Sequence, residues 1–215
     1  MTSSSRRTVA VVDYGMGNLR SVVKALEHVA EDGQQVLLTN DPDIIDGAER
    51  VLLPGQGAMA DCMAHLRDSG LMHNVLQACA SKPLLGICVG EQMMFERSEE
   101  GPADCLGLFP GEVRRFEPEF TTQRGLKVPH MGWNRVFQKR PHPLWEGIAD
   151  GAFFYFVHSY RVCPADESLI TGETEYGVRF TCAVGRDNIF ATQFHPEKSA
   201  TDGLRLFHNF MRWKP

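Results

Sequence analysis

A short apolar run that ends at a cysteine between two glycines constrains the fold of this chain more than any other stretch. The run reads KPLLGICVGEQ, and its apolar part at 84–87 is typical of a strand buried on both faces of a parallel sheet. Residues 91–97 are predicted to form a helix. Gly86 and Gly90 flank Cys88 with the spacing of a nucleophile elbow, where a larger side chain would clash with the sharp turn or with the neighbouring strand. The sequence therefore predicts that Cys88 lies on a strand-to-helix turn at the carboxyl end of a sheet.

A cysteine in that position can act as a nucleophile. The unpaired amides and the positive dipole end of the following helix favour a thiolate there. The alternative is that Cys88 is a small buried hydrophobic side chain, which is the commonest role of a lone cysteine. The elbow alone leaves both interpretations open.

A base for this cysteine is available near the carboxyl terminus, in the sequence QFHPEK at 193–198. The apolar run at 189–194 predicts a strand that delivers His195 to an end of the sheet. Residues two apart in an extended chain point to the same side, so the Glu197 carboxylate can lie beside the His195 ring and stabilise its protonated form. A surface turn without chemistry is the alternative for this motif alone. Together, the elbow and this motif predict a triad of Cys88, His195 and Glu197.

Length, charge and cysteine usage limit the classes of protein to which the chain can belong. Its 215 residues suffice for one α/β domain, predicted at 8–215 after a disordered tail at 1–7. A net charge of −5 with scattered basic residues argues against nucleic acid or an anionic membrane as a partner. The polar start and the lack of a run of about 18 apolar residues predict a cytoplasmic protein. The six cysteines form no C-x-x-C pair, so we predict reduced thiols, no structural metal and no cofactor.

Strand and helix patterns alternate along the first half of the chain. Apolar runs predict strands at 8–13, 35–39 and 50–53, with amphipathic helices between them. This alternation is typical of a doubly wound, parallel or mixed sheet with helices on both faces and an active site at the carboxyl ends of the strands.

The second half of the chain is less regular. We predict a strand near 111–116, a mobile excursion at 117–124 and a hairpin whose turn lies at 185–187. A last helix is predicted to cover the sheet with one apolar side.

Two glycine-containing loops follow predicted strands. Gly15 and Gly17 match part of a dinucleotide-binding loop, but Arg20 stands where that motif requires its third glycine, so a simple strand-to-helix turn is favoured. The sequence PGQG at 54–57 would let backbone amides approach a ligand closely, as an oxyanion hole requires. An ordinary strand-ending turn is the alternative for this second loop.

Three other residues have no evident role when they are considered singly. Gln92 lies one turn into the predicted helix, where a solvent-facing side chain is the usual case. Trp133 would more often belong to a core than to an interface. His158, at the end of a predicted strand, would usually be a hydrogen-bonded histidine without chemistry.

The motifs GICVGEQ and HPE together resemble the class I, triad-type glutamine amidotransferases. Within that class, DYGMGNL at 13–19, PHMGWN at 129–134 and YFVHSY at 155–160 resemble the glutaminase subunits of imidazole glycerol phosphate synthases. The matches extend from Asp13 to Ser199. The resemblance implies a flavodoxin-like, mostly parallel sheet flanked by helices.

The resemblance also implies roles for individual residues. The oxyanion and substrate-binding residues would be Gly55, Gln56, Gly57, Val89, Gln92, Ser159 and Tyr160. The interface with a partner protein would contain Asn18, Met131, Trp133, Asn134, Tyr155 and Lys198. Gln56 departs from the family pattern, which has valine there. Because the expected contact of this residue is through its backbone amide, the departure should affect loop rigidity more than chemistry.

The implied reaction is the hydrolysis of L-glutamine to glutamate and ammonia, with Cys88 attacking the side-chain amide. Ammonia would pass to a (β/α)₈-barrel cyclase subunit in a heterodimer, and the cyclase would make imidazole glycerol phosphate and AICAR in histidine biosynthesis. Glutaminase activity would stay low until the partner binds its ligand, with Lys198 and the loop at 55–57 carrying the coupling. The alternatives are a glutaminase subunit for another synthase, such as that of pyridoxal phosphate, and a non-catalytic relative with a reactive cysteine.

Overall fold

Apolar segments that alternate with amphipathic ones build the amino-terminal half of the fold, as the sequence predicts. The computed structural model describes residues 7–101, 103–117 and 125–215. The strands are β1 Arg7–Val12, β2 Gln34–Thr39, β3 Arg50–Gly55, β4 Leu84–Cys88, β5 Arg97–Ser98, β6 Ala103–Asp104, β7 Gly111–Arg115, β8 His130–Gln138, β9 Ala152–His158, β10 Tyr160–Pro164, β11 Ile170–Tyr176, β12 Val178–Arg186 and β13 Ile189–Thr192. The helices are α1 Leu19–Val29, α2 Pro42–Gly47, α3 Met59–Asp68, α4 Met72–Ser81, α5 Val89–Gln92 and α6 Ala200–Arg212, with 3₁₀ turns at Pro143–Trp145, Glu167–Leu169 and Pro196–Lys198.

The parallel part of the sheet positions the site. Its strand order is β2-β1-β3-β4-β13, and each neighbouring pair is parallel. Numbered along the chain, this is the 2-1-3-4-5 order of a flavodoxin-like fold. The carboxyl ends of β3, β4 and β13 are adjacent, so the segments that follow these strands meet at one edge of the sheet.

Strands that pair antiparallel, apart from the parallel pair of β5 and β7, extend the sheet beyond β13. The order continues through β12, β10, β7, β5 and β6, and β11, β8 and β9 branch from β12. The predicted hairpin of β12 and β13 is confirmed. Its turn begins two residues later than predicted, because Gly185 and Arg186 still pair with Phe190 and Ile189. Asp187, with φ of 52°, makes the turn instead.

The helices flank the sheet, and a mixed sheet flanked by helices is therefore confirmed. Helix α1 buries Val22 and Leu26 and contacts α6. Helix α6 buries an apolar side that includes Phe207 and Phe210. Its carboxyl end is fixed by the buried Arg50 guanidinium, which donates to the Phe210 carbonyl at 2.6 Å. None of the helices in the described residues has the length and apolarity that a membrane span requires.

The structure corrects the predicted bounds in several places. Strand β1 begins at Arg7, which is the last residue of the predicted disordered tail. The helix predicted at 91–97 is the single turn α5, because residues 93–95 turn into the core and β5 follows. A helix of one turn has few aligned peptide dipoles, so the predicted dipole effect on Cys88 loses its basis. Except for Glu117, the predicted excursion at 117–124 lies outside the described residues.

Candidate active site

The turn at Cys88 is a nucleophile elbow in its backbone geometry. Cys88 has φ of 56°, a left-handed conformation that non-glycine residues rarely adopt and that recurs at functional sites. A Cβ on Gly90 would lie 2.1 Å from the Leu53 carbonyl oxygen, and one on Gly86 would lie 2.9 Å from the Gly90 carbonyl oxygen. The prediction that both glycines are required by close packing is confirmed, and the thiol is held where β4 meets α5.

His195 and Glu197 form a buried hydrogen-bonded pair. His195 Nδ1 lies 2.7 Å from Glu197 Oε1, and the two side chains are 5% and 2% exposed. The backbone of His195 is held on both sides, because its N–H donates to the Tyr155 carbonyl at 2.9 Å and its carbonyl accepts from Ser199 Oγ at 2.6 Å. The imidazole orientation is therefore fixed by its carboxylate partner and by β9.

Cys88 and His195 interact electrostatically at the end of β4. Burial is the largest influence on the ring and lowers its pKa, but Cys88 and then Glu197 outweigh burial and raise the pKa of His195 to about 10. His195 Nε2 is buried and, among the described residues, has no partner that meets the geometry of a hydrogen bond. Cys88 is nevertheless close enough to stabilise the protonated ring by hydrogen bonding. A protonated ring is the state expected after the thiol proton has moved to Nε2.

A cavity of about 240 Å³ lies over this group. It is lined by Cys88 and His195 together with the predicted binding residues Gln56, Gly57, Val89, Gln92, Ser159 and Tyr160. Gly55 does not line the cavity. A Cβ at this position would lie 2.6 Å from the Gly90 backbone nitrogen, so Gly55 instead permits β3 to pack against the elbow.

Glu100 and His158 also line the cavity, although no sequence pattern selects them as binding residues. Glu100 Oε2 accepts a hydrogen bond from the Met59 backbone N–H at 2.9 Å. Burial raises the pKa of Glu100, while the Met59 amide opposes that change. The only signal available in the sequence was a cluster of three acidic residues, Glu96, Glu99 and Glu100, which does not indicate which one faces inward.

Gln193 is a further residue that the sequence analysis missed. Its side chain is fully buried, and Nε2 donates to Cys88 Sγ at 3.7 Å. Its position two residues before His195 is a weak signal, because β13 ends at Thr192 and residues 193 and 194 form a bend, where side chains do not simply alternate. Gln92 is buried as well, contrary to the usual exposure of a glutamine on a helix.

Glu91 is a buried carboxyl group next to the elbow. The residue is 0% exposed, and among the described residues neither of its carboxyl oxygens has a hydrogen-bond partner. Burial, with a smaller contribution from Cys88, raises the pKa of Glu91 well above its usual value. The folded protein therefore favours the neutral form of this group.

Four of the predicted interface residues form one surface, the docking patch, made of Met131, Trp133, Tyr155 and Lys198. Met131 and Trp133 are 62% and 52% exposed. Trp133 pairs with Tyr155 across β8 and β9, and their rings pack edge to face with centroids 6.1 Å apart. Lys198 Nζ lies 5.8 Å from the centroid of the Tyr155 ring. The patch therefore adjoins the turn that carries Glu197.

Of the other two predicted interface residues, Asn134 lies on the face of β8 away from the docking patch, and Asn18 precedes α1, a helix that contacts the turn carrying Lys198. Asn134 follows Trp133 on β8 and points to the opposite face, where its Nδ2 donates to the Glu175 carbonyl at 2.9 Å. Asn18 is exposed at the start of α1, in the N-cap position, but it makes no side-chain capping bond.

Comparisons with known proteins agree with this geometry. The sequence model of the glutamine amidotransferase class-I family matches residues 10–213. An imidazole glycerol phosphate synthase subunit HisH from Dechloromonas aromatica (strain RCB) is 65% identical over 97% of this chain and 98% of its own length. The HisH protein of Aromatoleum aromaticum is 59% identical over 96% of this chain and 99% of its own length.

Solved structures support the fold independently. A crystal structure of a glutamine amidotransferase superposes with a TM-score of 0.69 at 18% identity, covering 95% of this chain and 97% of the other. A glutamine amidotransferase from Thermotoga maritima gives 0.59 at 15% identity, covering 89% and 76% of the two chains. With the family model, the close relatives and the elbow geometry in agreement, this chain belongs to the class-I glutamine amidotransferase family and, within it, to the HisH subunits of imidazole glycerol phosphate synthase.

Proposed function

We propose that the domain at 8–215 hydrolyses L-glutamine with Cys88 as nucleophile, His195 as general base and Glu197 as the carboxylate that orients His195. The observation that carries this proposal is the 2.7 Å bond between His195 Nδ1 and Glu197 Oε1, beside a cysteine on a strained elbow at the floor of a cavity. Because Nδ1 is engaged by Glu197, Nε2 is the atom available to the Cys88 proton.

The reaction proceeds in two steps. Sγ of Cys88 attacks the side-chain amide carbon of glutamine, and the proton held on His195 Nε2 passes to the departing ammonia. Water, activated by the neutral His195, then hydrolyses the γ-glutamyl thioester and releases glutamate. The negative oxygen of each tetrahedral intermediate would accept hydrogen bonds from backbone amides of Gln56 or Gly57 and of Val89, each worth about 3 kcal/mol in other acyl-transfer enzymes.

The cavity lining suggests how the rest of the substrate is held. Glu100 offers a carboxylate for the α-ammonium group of glutamine, since it lines the same cavity as the nucleophile. Ser159 and Tyr160 line the same cavity and add polar groups to it. Gln92 presents a side-chain amide one turn after Cys88. These residues together would distinguish glutamine from a neutral amide without an amino-acid end.

We further propose that ammonia passes to a cyclase, a (β/α)₈ barrel, which covers the docking patch in a heterodimer and makes imidazole glycerol phosphate and AICAR for histidine biosynthesis. Support comes from the names of the relatives, each a subunit of imidazole glycerol phosphate synthase, and from the exposed aromatic surface on β8 and β9. Lys198 is one residue from Glu197 and touches Tyr155, so a partner on the patch could alter the catalytic turn. A cytoplasmic location is part of this proposal.

Glutamate release from glutamine, followed with and without the cyclase and its ligand, tests the proposal. We expect release to rise when both are present, to disappear in Cys88→Ala, and to fall about 1000-fold in His195→Ala. Cys79→Ala is the matched control, because this buried cysteine on α4 does not line the cavity. No release from the wild-type complex would refute the glutaminase assignment. Full stimulation in Lys198→Ala would remove the coupling role of Lys198.

A further inference from the structure

A buried row of amide and imidazole groups ends at the sulfur of Cys88. Gln193 Nε2 donates to Cys88 Sγ at 3.7 Å, and Gln92 Nε2 donates to Gln193 Oε1 at 2.8 Å. Both glutamines are at least nine-tenths buried. Neither amide is therefore free to reorient into water.

The direction of these bonds is fixed by the backbone carbonyl of Tyr160, which can only accept. Gln92 Nε2 also donates to this carbonyl, at 3.3 Å. The NH₂ group of Gln92 thus donates to two oxygen atoms. This rules out the alternative orientation of the Gln92 amide, in which its nitrogen and oxygen exchange places. Since Gln193 must then present Oε1 to Gln92, its NH₂ group is directed at Cys88.

Two neutral histidines support the same carbonyl. His158 Nδ1 lies 2.7 Å from the Tyr160 oxygen and must be the protonated nitrogen, so His158 Nε2 accepts from His130 Nδ1 at 2.9 Å. His130 Nε2 in turn accepts from Asn134 Nδ2 at 3.2 Å. Burial lowers the pKa of His158 to about 3 and that of His130 to about 4, so both rings are neutral at pH 7. The row therefore extends from β8 to the nucleophile, and the donor direction reverses once, at the Tyr160 carbonyl, which accepts from both His158 and Gln92.

We propose that Gln193 is a catalytic residue of the glutaminase reaction, whose side-chain N–H bond to Sγ stabilises the thiolate of Cys88 and aims it at the substrate amide. Gln92 is a positioning residue because it donates directly to Gln193 Oε1, and His158 is one because it holds the Tyr160 carbonyl that orients Gln92. This inference rests on the proposed function, since it assigns a role in that reaction.

The chemical reason is that a thiolate lacks a proton and gains from every N–H donor directed at it, whereas a thiol gains little from an additional donor. His195 supplies the charge that balances the thiolate, but it must leave Sγ when it protonates ammonia. Gln193 is uncharged and transfers no proton, so its N–H group can stay directed at the sulfur while His195 acts on the substrate. Its bond to Gln92 also restricts the rotamers that the Gln193 side chain can adopt.

The test is alkylation of Cys88 by iodoacetamide in the full-length protein, without glutamine, over pH 5 to 10. Peptide mass spectrometry separates Cys88 from the five other cysteines, all of which are free thiols. Gln193→Met keeps the length of the side chain but removes the donor. We expect its alkylation profile to move to higher pH and its rate at pH 7 to fall about ten-fold, the lower end of the effect of losing one hydrogen bond to a charged group. Gln92→Met is expected to shift the profile less, in the same direction.

The other titratable groups close to Cys88 are His195, Glu91, Cys62 and Tyr14, and none of them is changed in these variants. Thr171→Val serves as the control, because it removes a buried hydroxyl that touches neither Cys88 nor the cavity. Its profile should match that of the wild type.

An unchanged profile in Gln193→Met, in a protein with wild-type circular dichroism and melting temperature, would overturn the proposal. If Gln193→Met does not fold, folded Gln92→Met provides the test. A wild-type alkylation profile in Gln92→Met would overturn the claim that Gln92 positions Gln193, and with it the claim that the Gln193 amide has a fixed direction. The alkylation readout does not require turnover. A wild-type protein that releases no glutamate would therefore refute the proposed function. The alkylation profile of Cys88 would still decide whether Gln193 interacts with the sulfur.

Discussion

Replacement of Glu91 by glutamine should make the protein more stable at neutral pH while changing its shape very little. Glu91 is fully buried, and its two carboxyl oxygens have no hydrogen-bond partner among the described residues. Burial first, and Cys88 second, raise the pKa of this carboxyl well above its usual value. In the folded protein the group keeps its proton, whereas in the unfolded chain it ionises above a pH of about 4.3.

The sign of the pH effect follows from proton linkage. The folded state binds the Glu91 proton more tightly than the unfolded state does. The stability that the protein retains by keeping this group neutral is therefore fully present below the unfolded pKa, and it is lost as pH rises towards the folded pKa. Each pH unit in that interval removes about 1.4 kcal/mol from the free energy of unfolding. Glutamine cannot ionise, so Glu91→Gln should escape this loss, and the difference between the two proteins should grow at the same rate from pH 5 upwards.

Urea unfolding at several pH values between 5 and 8 measures this difference directly, and subtraction of the two curves cancels the other titrating groups. Glu27→Gln, an exposed change on α1, is the control and should leave the slope of the wild type unaltered. Parallel curves for Glu91→Gln and wild type over the whole interval would contradict the claim that this carboxyl is held neutral by burial.

Three further perturbations have expected outcomes. Ser199→Ala removes the hydroxyl that donates to the His195 carbonyl and accepts from the Tyr155 N–H. The kcat for glutamate release should therefore fall about ten-fold with little change in KM. Equal kcat values for Ser199→Ala and the wild type would exclude a positioning role for Ser199. Trp133→Ala removes the largest exposed ring of the docking patch and should weaken binding of the cyclase by about 2 kcal/mol in calorimetry, whereas unchanged affinity would move the interface elsewhere. Arg50→Leu leaves the Phe210 and Trp213 carbonyls without their buried donor and should lower the free energy of unfolding by about 3 kcal/mol, measured in urea. A urea midpoint equal to that of the wild type would contradict this expectation.

The local features of the site could be predicted from sequence because they depend on short spacings. Gly86 and Gly90 are required by contacts within the elbow and with the adjacent strand, and the two-residue spacing of His195 and Glu197 places their side chains together. The apolar runs predicted the parallel strands, because burial of a strand on both faces excludes polar residues from it.

Other features depended on contacts between segments that are distant in the chain. The pattern after Cys88 predicted a helix at 91–97, yet packing of residues 93–95 into the core reduces it to one turn. Trp133 and Asn134 are neighbours in one motif, but alternation along β8 sends them to opposite faces. No sequence spacing distinguishes the exposed member of such a pair from the buried one.

Residue order alone was therefore enough to specify the elbow, the histidine–carboxylate pair and the parallel strands, because each depends on residues close together in the chain. Three features required the folded molecule: Gln193 reaches the sulfur, Glu91 is buried without a partner among the described residues, and the docking patch adjoins the catalytic turn. The physical reason is that periodicity identifies which side of a segment avoids water, whereas the groups that cover that side come from other strands and helices.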